Sequence, residues 1–421
     1  MTTKNFKQTE IGEIPADWDL KPLRSVCVET TTVNPAKAPD TVIEYVDVSS
    51  VSREGCRIVG ATKYAGKDAP GRARNLVRHR DVIFATVRPT LRRVALVPKE
   101  LDGQVVSTAF CVIRAQEVQA HPEYLYYVVS SPDFITRVGR LERGASYPAV
   151  TDANIFTQKI ALPARPEQER IAGVLSKIQR AVENQETIVA DLRELKVATT
   201  AKLFREGLSG GPLKTTEIGE IPVDWEIKRL GNYANLFSGY AFKSSDFTDN
   251  GVIVVKIGSL QNGTLTIGNR TNYFPKDSVI EEFEKYTLHQ GDILIALTGA
   301  TTGKVSCVPK EFNGALLNQR VGKFEVFSDK LDKDFLHFFS ISNYFQMEIN
   351  LNILQSAQGN ISPEKIENIF IPVPGLEEQK EIAGILNCID RKIVFASKEH
   401  ENLKLLFSST LNQLMTGKIR V

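Results

Sequence analysis

Residues 163–207 read PARPEQERIAGVLSKIQRAVENQETIVADLRELKVATTAKLFREG, and this stretch decides the fold. A second version, PGLEEQKEIAGILNCIDRKIVFASKEHENLKLLFSSTLNQLMTGK, occupies residues 374–418. Identical residues recur in the two versions as Pro163 and Pro374, Gln168 and Gln379, and Ile171–Gly173 and Ile382–Gly384. A repeat of this kind makes the chain two similar halves.

Both versions have the pattern of one long helix. Pro166 lies near the first helical position, with Glu167 and Glu169 in the first turn, as the start of a helix prefers. Gly207 and Gly417 end the two stretches. At 1.5 Å per residue, about 40 residues give a helix of about 60 Å.

Apolar residues in both helices follow alternating steps of four and three, which is the spacing of a coiled-coil seam. His400 falls on the same spacing, which favours a packing role for it. Because the link to the second domain is short, we expect the second helix to pack on the first by running back antiparallel. The predicted seam is Ile171, Leu175, Ile178, Val182, Val189 and Leu192 in the first helix, and Ile382, Leu386, Ile389, Ile393, Leu403, Phe407 and Leu414 in the second.

A second repeated motif opens each half. TEIGEIPADW at residues 9–18 returns as TEIGEIPVDW at residues 216–225. Trp18 and Trp225 are the only tryptophans, and we interpret each as a core anchor at the start of a domain. After each motif, short apolar runs broken by Gly, Pro and Asp predict strands, while helical spacing predicts helices at residues 122–129 and 335–345.

These repeats predict an α+β protein. Two similar mixed α/β domains are joined by two long helices, which pack as an antiparallel coiled coil with pseudo-two-fold symmetry. The predicted segments are residues 1–162 for the first domain, 163–212 for the central helix, 213–372 for the second domain and 373–421 for the C-terminal helix.

The composition is that of a soluble globular protein, with 42% hydrophobic and 24% charged residues among 421. Net charge is only +2, so a nucleic-acid role requires local clusters of basic residues. The five cysteines are scattered and form no C-x-x-C pair, which favours a reducing cytoplasm over a disulfide framework or a zinc site. We find neither an apolar signal segment nor a membrane span and therefore expect a cytoplasmic protein without membrane contact.

The first domain carries a dense basic run. The paired donors of an arginine guanidinium suit phosphates and the edges of guanine bases. A run of charged residues, however, more often only forms a surface that faces solvent. Arginines outnumber acidic residues here, so we predict that the run binds DNA. The candidates are Lys63, Tyr64, Lys67, Arg72, Arg74, Arg78, Arg88, Arg92 and Arg93.

The second domain is less basic, and its candidates are mostly polar loop residues. Asn, Gln and Arg read base edges through paired hydrogen bonds, although each alone also fits a turn or an ordinary surface position. Arg92 and Arg93 correspond to Gly303 and Lys304, so the two predicted faces differ chemically. The candidates are Tyr240, Lys243, Lys256, Gln261, Asn262, Lys304, Asn318, Gln319, Arg320, Gln358 and Asn360.

The sequence contains no complete catalytic motif. Residues 299–305, GATTGKV, resemble a phosphate loop, but the glycines lie one residue too close together and Val305 replaces the required Ser or Thr. The five histidines show no metal-ligand spacing, and no nucleophile motif or amino-methyltransferase motif is present. We therefore predict no catalytic residue, no metal ligand and no cofactor in this chain.

Three motifs, each present twice, resemble the specificity subunit of Type I restriction–modification systems. They are TEIGEIPxDW, a GDILI-type strand, and PxxxEQxxIAxxL at Pro163–Leu175 and Pro374–Leu386. The resemblance covers nearly the whole chain. It implies two target-recognition domains that each read half of a split, asymmetric double-stranded DNA site, with helices that hold them at a set spacing.

The resemblance also implies partners. Two modification subunits would bind S-adenosylmethionine and methylate adenine, and ATP- and Mg-dependent restriction subunits would translocate and cut DNA. The specificity subunit itself has no catalytic residue in this family. Recognition loops diverge among its members, so the resemblance does not identify the residues that read bases.

Two alternatives stay open on the sequence. A stand-alone DNA methyltransferase or nuclease would act on DNA without partner subunits. A coiled-coil scaffold would lack a DNA role, and alanine replacement of Arg72, Arg74, Arg92 and Arg93 without loss of salt-dependent DNA binding would support it. The leading interpretation predicts that four residues inserted within Val182–Leu192 alter the gap between half-sites and leave both half-sequences unchanged.

Overall fold

The computed structural model describes residues 5–261, 263–268, 271–354 and 359–421. The chain divides into two compact units. The first unit comprises Met1–Ile188 and Ala396–Val421, and the second comprises Val189–Phe395. Among the described residues, no helix combines the length and apolarity needed to cross a membrane.

The first unit contains a mixed sheet domain and segments of both long helices. Its helices are α1 Pro122–Ser130, α2 Pro132–Gly139, α3 Asp152–Phe156 and the first part of α4 Arg165–Glu206. Its strands are β1 Phe6–Thr9, β2 Gly12–Pro15, β3 Asp19–Pro22, β4 Cys27–Val28, β5 Val42–Val46, β6 Thr62–Ala65, β7 Ala73–Leu76, β8 Val82–Ala85, β9 Val94–Leu96, β10 Val105–Ser107, β11 Phe110–Ala115 and β12 Lys159–Leu162.

Two four-stranded sheets organise the first unit, with strand orders β6-β5-β10-β7 and β4-β11-β8-β9. Strand β8 is buried at every position, which is why it reads as a continuous apolar run. It pairs antiparallel with β11, with Val82 opposite Ile113. Tyr124 and Leu125 of α1 are fully buried in the same core, so the helix predicted at residues 122–129 is confirmed.

The second unit repeats this plan. Its helices are the remaining part of α4, then α5 Lys333–Ser340, α6 Asn343–Leu354, α7 Pro363–Glu367 and the first part of α8 Leu376–Met415. Its strands are β13 Leu213–Thr216, β14 Gly219–Pro222, β15 Glu226–Arg229, β16 Ala234–Ser238, β17 Val252–Val255, β18 Leu260–Gln261, β19 Thr264–Leu265, β20 Asn272–Phe274, β21 Ile293–Ala296, β22 Val305–Cys307, β23 Leu316–Leu317, β24 Val321–Val326 and β25 Phe370–Val373.

The sheet β16-β24-β21-β22 corresponds to β4-β11-β8-β9 of the first unit, and β20-β17-β23 forms a second sheet. The single helix predicted at residues 335–345 is wrong. Helix α5 ends at Ser340 and α6 begins at Asn343, because the Ser342 hydroxyl accepts a hydrogen bond from the Phe345 N–H at 3.4 Å and starts a new helix.

The long helices run antiparallel within each unit, as predicted. In the first unit, Arg170 Nε donates to the Val421 carbonyl at 2.7 Å, and Gln185 Nε2 donates to the Ala396 carbonyl at 3.1 Å. In the second unit, Lys196 forms an ion pair with Asp390 at 2.6 Å. The start of each long helix therefore lies beside the end of the other.

None of the predicted seam residues is fully exposed, and about half of them are buried. Those that are buried are Ile171, Leu175, Val189, Ile382, Leu386, Ile389 and Leu414. Those that are half-buried are Ile178, Val182, Leu192, Ile393, Leu403 and Phe407.

The repeated PxxxEQ motif fixes each long helix to its domain through a buried glutamine. In the first unit, Gln168 is 1% exposed. Its amide donates to the carbonyls of Pro163 at 2.9 Å and Gln119 at 3.1 Å, and its oxygen accepts from the His121 N–H at 2.8 Å. The side chain thereby forms hydrogen bonds with three backbone groups that burial separates from water.

The second unit repeats this arrangement. The Gln379 amide donates to the carbonyls of Pro374 and Lys330, both at 2.9 Å, and its oxygen accepts from the Asp332 N–H at 2.8 Å. The glutamate before each glutamine accepts a hydrogen bond from the tryptophan indole of the same unit, at 3.3 Å for Glu167 and 3.0 Å for Glu378. The two repeated sequence motifs therefore meet in each unit.

We expect Gln379→Leu to lower the free energy of unfolding of the second unit by about 1–3 kcal/mol, since buried backbone groups lose their partners. Hydrogen exchange of α5 measures this loss. Glu377→Gln is the matched control, because the Glu377 side chain is 83% exposed and such a change stays within about 0.5 kcal/mol. Equal exchange rates in the two variants would contradict the role given to Gln379.

Candidate nucleic-acid interface

Three predicted DNA-binding residues of the first unit lie on the edge strands of the sheet β6-β5-β10-β7. Lys63 and Tyr64 belong to β6, and Arg74 belongs to β7. Lys63 lies 3.4 Å from Glu44, and the Arg74 guanidinium donates to Asn34 Oδ1 at 2.9 Å. Local contacts thus hold both cationic side chains at the sheet edges.

Three further cations of the first unit are open to solvent. Lys67, Arg72 and Arg78 are exposed. Across the described part of the chain, no carboxylate lies within ion-pair distance of them. Their charge is therefore available to phosphate groups.

A tight turn after β8 carries two more arginines. It spans the short 3-10 segment Pro89–Leu91, with Arg88 and Arg92 on either side. Both have left-handed backbone conformations, with φ of 49° at Arg88 and 57° at Arg92. A residue other than glycine in this region is uncommon and costs about 1–3 kcal/mol.

The same turn in the second unit has glycine at both places. Counted from the matched Asp81 and Asp292, Arg88 corresponds to Gly299 and Arg92 to Gly303. These glycines have φ of 81° and 87°. The backbone turn is therefore common to both units, while the arginine side chains belong to the first unit alone.

Arg88 is held by the loop before α3. Its guanidinium donates to the Ser146 carbonyl at 3.2 Å and lies 5.6 Å from the ring centre of Tyr147. Tyr147 is 76% exposed, which is unusual for a large aromatic side chain. Arg92 is also exposed, and the described residues place no carboxylate within ion-pair distance of it. We did not single out Tyr147 from the sequence, although an aromatic between Gly144 and Pro148 in an arginine-rich domain was a usable signal.

Arg93 has its contacts inside the protein. Its guanidinium donates to the carbonyl of Val51 at 2.7 Å and to the carbonyl of Val48. Burial, together with the nearby Arg53, lowers the pKa of Arg93. The side chain of Arg93 is thus occupied in fixing the loop after β5.

Asp68 and Asp81 interrupt the basic run, and Asp81 has a structural role. Asp81 is 2% exposed and accepts two hydrogen bonds from Arg114, at 2.6 Å and 2.8 Å. The preceding Arg80 has φ of 68°, and its guanidinium donates to Glu123 at 2.6 Å and 3.0 Å. Contacts inside the unit therefore account for the Arg80 side chain.

Glu123 gives the first unit a dependence on pH. Burial raises the pKa of its carboxyl, but a 2.9 Å contact with His121 and the hydrogen bonds from Arg80 outweigh burial and lower the pKa from 4.5 to about 2. A depressed carboxyl pKa stabilises the fold above the unfolded-state value, and this stabilisation is lost as the pH falls towards the folded-state value.

We therefore expect the urea midpoint of the first unit to fall between about pH 5 and pH 3, and to fall less in Glu123→Gln. Hydrogen exchange of α1 measures this midpoint. Glu29→Gln is the control, because the Glu29 side chain is 92% exposed. If the urea midpoint of the first unit depends on pH in the same way in the wild-type and Glu123→Gln proteins, the stabilising role of the ionised Glu123 is refuted.

In the second unit, backbone pairing brings several predicted residues together. The Tyr240 N–H donates to the Leu317 carbonyl at 2.8 Å, and the Gln319 N–H donates to the Tyr240 carbonyl at 2.9 Å. The Asn318 N–H donates to the Val255 carbonyl at 3.1 Å, which brings the neighbouring Lys256 to the same place. Tyr240, Lys256, Asn318, Gln319 and Arg320 therefore form one cluster.

The members of this cluster differ in exposure. Asn318 is 6% exposed, and its Oδ1 accepts from the Arg320 N–H at 3.3 Å, so its side chain shapes the turn. The Lys256 ammonium lies 3.7 Å from the ring centre of Phe247, and burial, with a contribution from Arg320, lowers its pKa. Gln319 and Arg320 are exposed and can meet a ligand.

The remaining predicted residues lie elsewhere in the second unit. Lys243 is exposed, and its N–H donates to Asp246 Oδ2 at 2.8 Å. Gln261 is exposed on β18. Lys304 and Asn360 are half-buried, and the Thr302 hydroxyl donates to the Gly359 carbonyl at 3.1 Å, which joins the two chain segments that carry them. Asn262 and Gln358 lie outside the described residues.

No group of three or more His, Cys, Asp or Glu side chains in the described ranges is arranged to hold a metal ion. The chemistry that the exposed residues offer is instead hydrogen bonding and charge. Arginine, glutamine and lysine side chains on loops suit phosphates and base edges.

The Type I restriction modification DNA specificity domain matches this chain twice, at residues 15–193 and 222–405. The specificity subunit of the Type I restriction enzyme MjaVIII of Methanocaldococcus jannaschii is 34% identical over 303 residues, which are 71% of this chain and 70% of that protein. The putative MjaX specificity subunit of the same organism is 26% identical over 430 residues, 99% of this chain and 97% of that protein.

A solved structure that concerns complex assembly and conformational transition of the type I R-M system contains a similar chain. It is 27% identical with a TM-score of 0.58, and the match covers 96% of this chain and 99% of that one. The double match of the specificity domain agrees with the internal repeat and with the two units of the structure. The chain belongs to the family of Type I restriction modification DNA specificity proteins.

Proposed function

We propose that this chain is the non-catalytic specificity subunit of a Type I restriction–modification complex, and that each unit reads one half of a bipartite DNA site. One observation carries the proposal. The two units share a fold and a turn, but that turn bears Arg88 and Arg92 in one unit and Gly299 and Gly303 in the other. A duplicated scaffold with different recognition side chains suits an asymmetric site.

The exposed cations of the first unit support DNA as the ligand. Lys67, Arg72 and Arg78 would position the unit on phosphates, while loop side chains specify bases. In the second unit, Gln319 and Arg320 would supply the base contacts.

The partners follow from the family. We infer that modification subunits bring S-adenosylmethionine and methylate adenine, and that restriction subunits bring ATP and Mg²⁺. No cofactor is assigned to this chain, and we place the assembled complex in the cytoplasm. Exposed apolar side chains on α8 support docking of a protein partner, since Leu405 is 67% and Leu406 51% exposed.

A salt titration tests the DNA role in the complex with its modification subunits. We expect Arg72→Ala with Arg78→Ala to weaken binding to all sequences alike and to reduce the slope of log K against log salt by about 2, since each phosphate contact contributes about 0.9. Arg193→Ala, an exposed arginine of α4, is the control. A slope equal to that of wild type would contradict the proposed phosphate contacts.

The alternative of a stand-alone methyltransferase or nuclease has a separate outcome. The purified chain with DNA and S-adenosylmethionine, or with DNA and Mg²⁺, should neither methylate nor cut. Activity in the absence of every partner subunit would replace our proposal with that alternative.

A further inference from the structure

All four non-glycine residues with positive φ in the described part of the chain lie in the first unit. They are Cys56, Arg80, Arg88 and Arg92. The three arginines correspond by position to Gly291, Gly299 and Gly303 of the second unit, which also have positive φ. The second unit shows that glycine satisfies the same backbone, so a side chain at these places needs another reason.

Contacts within the protein supply that reason for Arg80, which pairs with Glu123. They do not supply it for Arg92. Its side chain is exposed and makes no hydrogen bond or ion pair with the described residues, although its charge acts on the nearby Cys56 thiol. Arg88 contacts a carbonyl and the exposed ring of Tyr147, and these contacts leave donors of its guanidinium facing solvent. A strained position whose side chain is not used internally is typical of a ligand contact.

We propose that Arg88 and Arg92 are specificity-determining residues of the first unit that contact guanine, and that Tyr147 positions Arg88. This inference rests on the proposed DNA-reading function. It deepens that function by assigning the base contact to one turn.

The geometry favours a base over a phosphate. A phosphate contact tolerates a flexible chain on ordinary backbone, as at Lys67 or Arg78. Left-handed backbone at a residue other than glycine costs free energy and is found at sites that hold a ligand contact in one fixed direction. The Tyr147 ring, 5.6 Å away, restricts the Arg88 guanidinium further. A guanidinium held in one orientation can donate two parallel hydrogen bonds to the O6 and N7 acceptors of guanine.

The test uses the assembled complex of this chain with its modification subunits. Methylation is measured on a DNA library in which each position of the site is randomised, and Tm is measured on the same samples. The variants are Arg88→Gly, Arg92→Gly and Arg88→Lys.

For Arg88→Gly and Arg92→Gly we expect preference for guanine at one position of one half-site to fall by about tenfold or more. Preference in the other half-site should stay as in wild type. Tm should stay equal or rise by about 2–4 °C, because glycine relieves the left-handed strain. Arg88→Lys should lose the same preference, since an ammonium keeps the charge but lacks the paired, planar donors of a guanidinium.

Arg80→Gly is the matched control at a third left-handed position. It should lower Tm, because Glu123 loses one of its two partners, and should leave every base preference unchanged. Unchanged preferences in Arg88→Gly and Arg92→Gly would overturn the inference, as would an Arg88→Lys that reads guanine like wild type. A lower Tm with uniformly weaker methylation at all sequences would make the arginines structural and would also overturn it.

Different results would refute the DNA-reading function and the assignment of the guanine contact to the turn with Arg88 and Arg92. A wild-type complex without a bipartite preference refutes the proposed function itself. A wild-type complex with such a preference that the glycine variants retain refutes only the assignment to this turn.

Discussion

Trp225→Ala should lower the free energy of unfolding of the second unit by about 3–5 kcal/mol, the usual cost of removing a buried tryptophan. Trp225 is 1% exposed in the core of this unit, and its indole N–H donates to Glu378 at 3.0 Å. The substitution leaves a cavity where α4, α8 and the sheet domain meet. It also removes a hydrogen bond from a carboxylate of the repeated motif.

Two probes separate the units in this experiment. Hydrogen exchange of β21 and α5 reports the second unit, while fluorescence of Trp18, then the remaining tryptophan, reports the first. Phe327→Ala is the control, because Phe327 is a large apolar residue that is 59% exposed. If Trp225→Ala shifts the urea midpoint of the second unit no more than Phe327→Ala does, the anchoring role is refuted.

Lengthening both long helices should change the gap in the DNA site without changing either half-sequence. We propose four residues inserted after Gln185 in α4 and four after Ala396 in α8, because these residues contact each other at 3.1 Å. Four residues lengthen a helix by about 6 Å, and a base pair rises about 3.4 Å, so the gap should change by about one or two base pairs.

The control keeps the helix length and changes only its exposed surface. Thr187→Ala with Ile188→Ala serves this purpose, since both residues are exposed. Methylation sites mapped for the two variants give the gap directly. An insertion variant that remains active with the wild-type gap would show that the helices do not set the spacing.

Much of the scaffold was predictable from the sequence because it depends on local spacing. The four-three pattern identified the helices, and short connections left only the antiparallel packing seen in each unit. The buried strand at Val82–Ala85 was readable as a continuous apolar run, and the repeat placed its partner at Ile293–Ala296. These features rely on periodicity and chain connectivity alone.

The candidate interface was less predictable, since side-chain contacts between distant residues decide which arginines are free. Arg80 and Arg93 belong to the same basic run as Arg88 and Arg92, but a carboxylate and two carbonyls occupy them. Tyr147 reaches Arg88 from a loop about 60 residues away in sequence. An arginine gives no sign in the sequence that its backbone is left-handed, and the φ values of Arg88 and Arg92 in the structure show it.

The compact units also combine segments that are far apart in the chain. The first unit takes α4 up to Ile188 and α8 from Ala396 onward, because the helix segments pack along their seam. The linear division at residues 162, 212 and 372 describes the repeat in the sequence and stays a prediction.

The central claim is that this chain gives its complex a split DNA sequence. Single-molecule methylome sequencing should compare cells that express the chain with its partner methyltransferase and cells that express the methyltransferase alone. The account predicts adenine methylation at one asymmetric motif, made of two short half-sequences around a fixed unspecified gap, only when the chain is present. A methylome that does not depend on the chain, or a motif that is continuous, would contradict it.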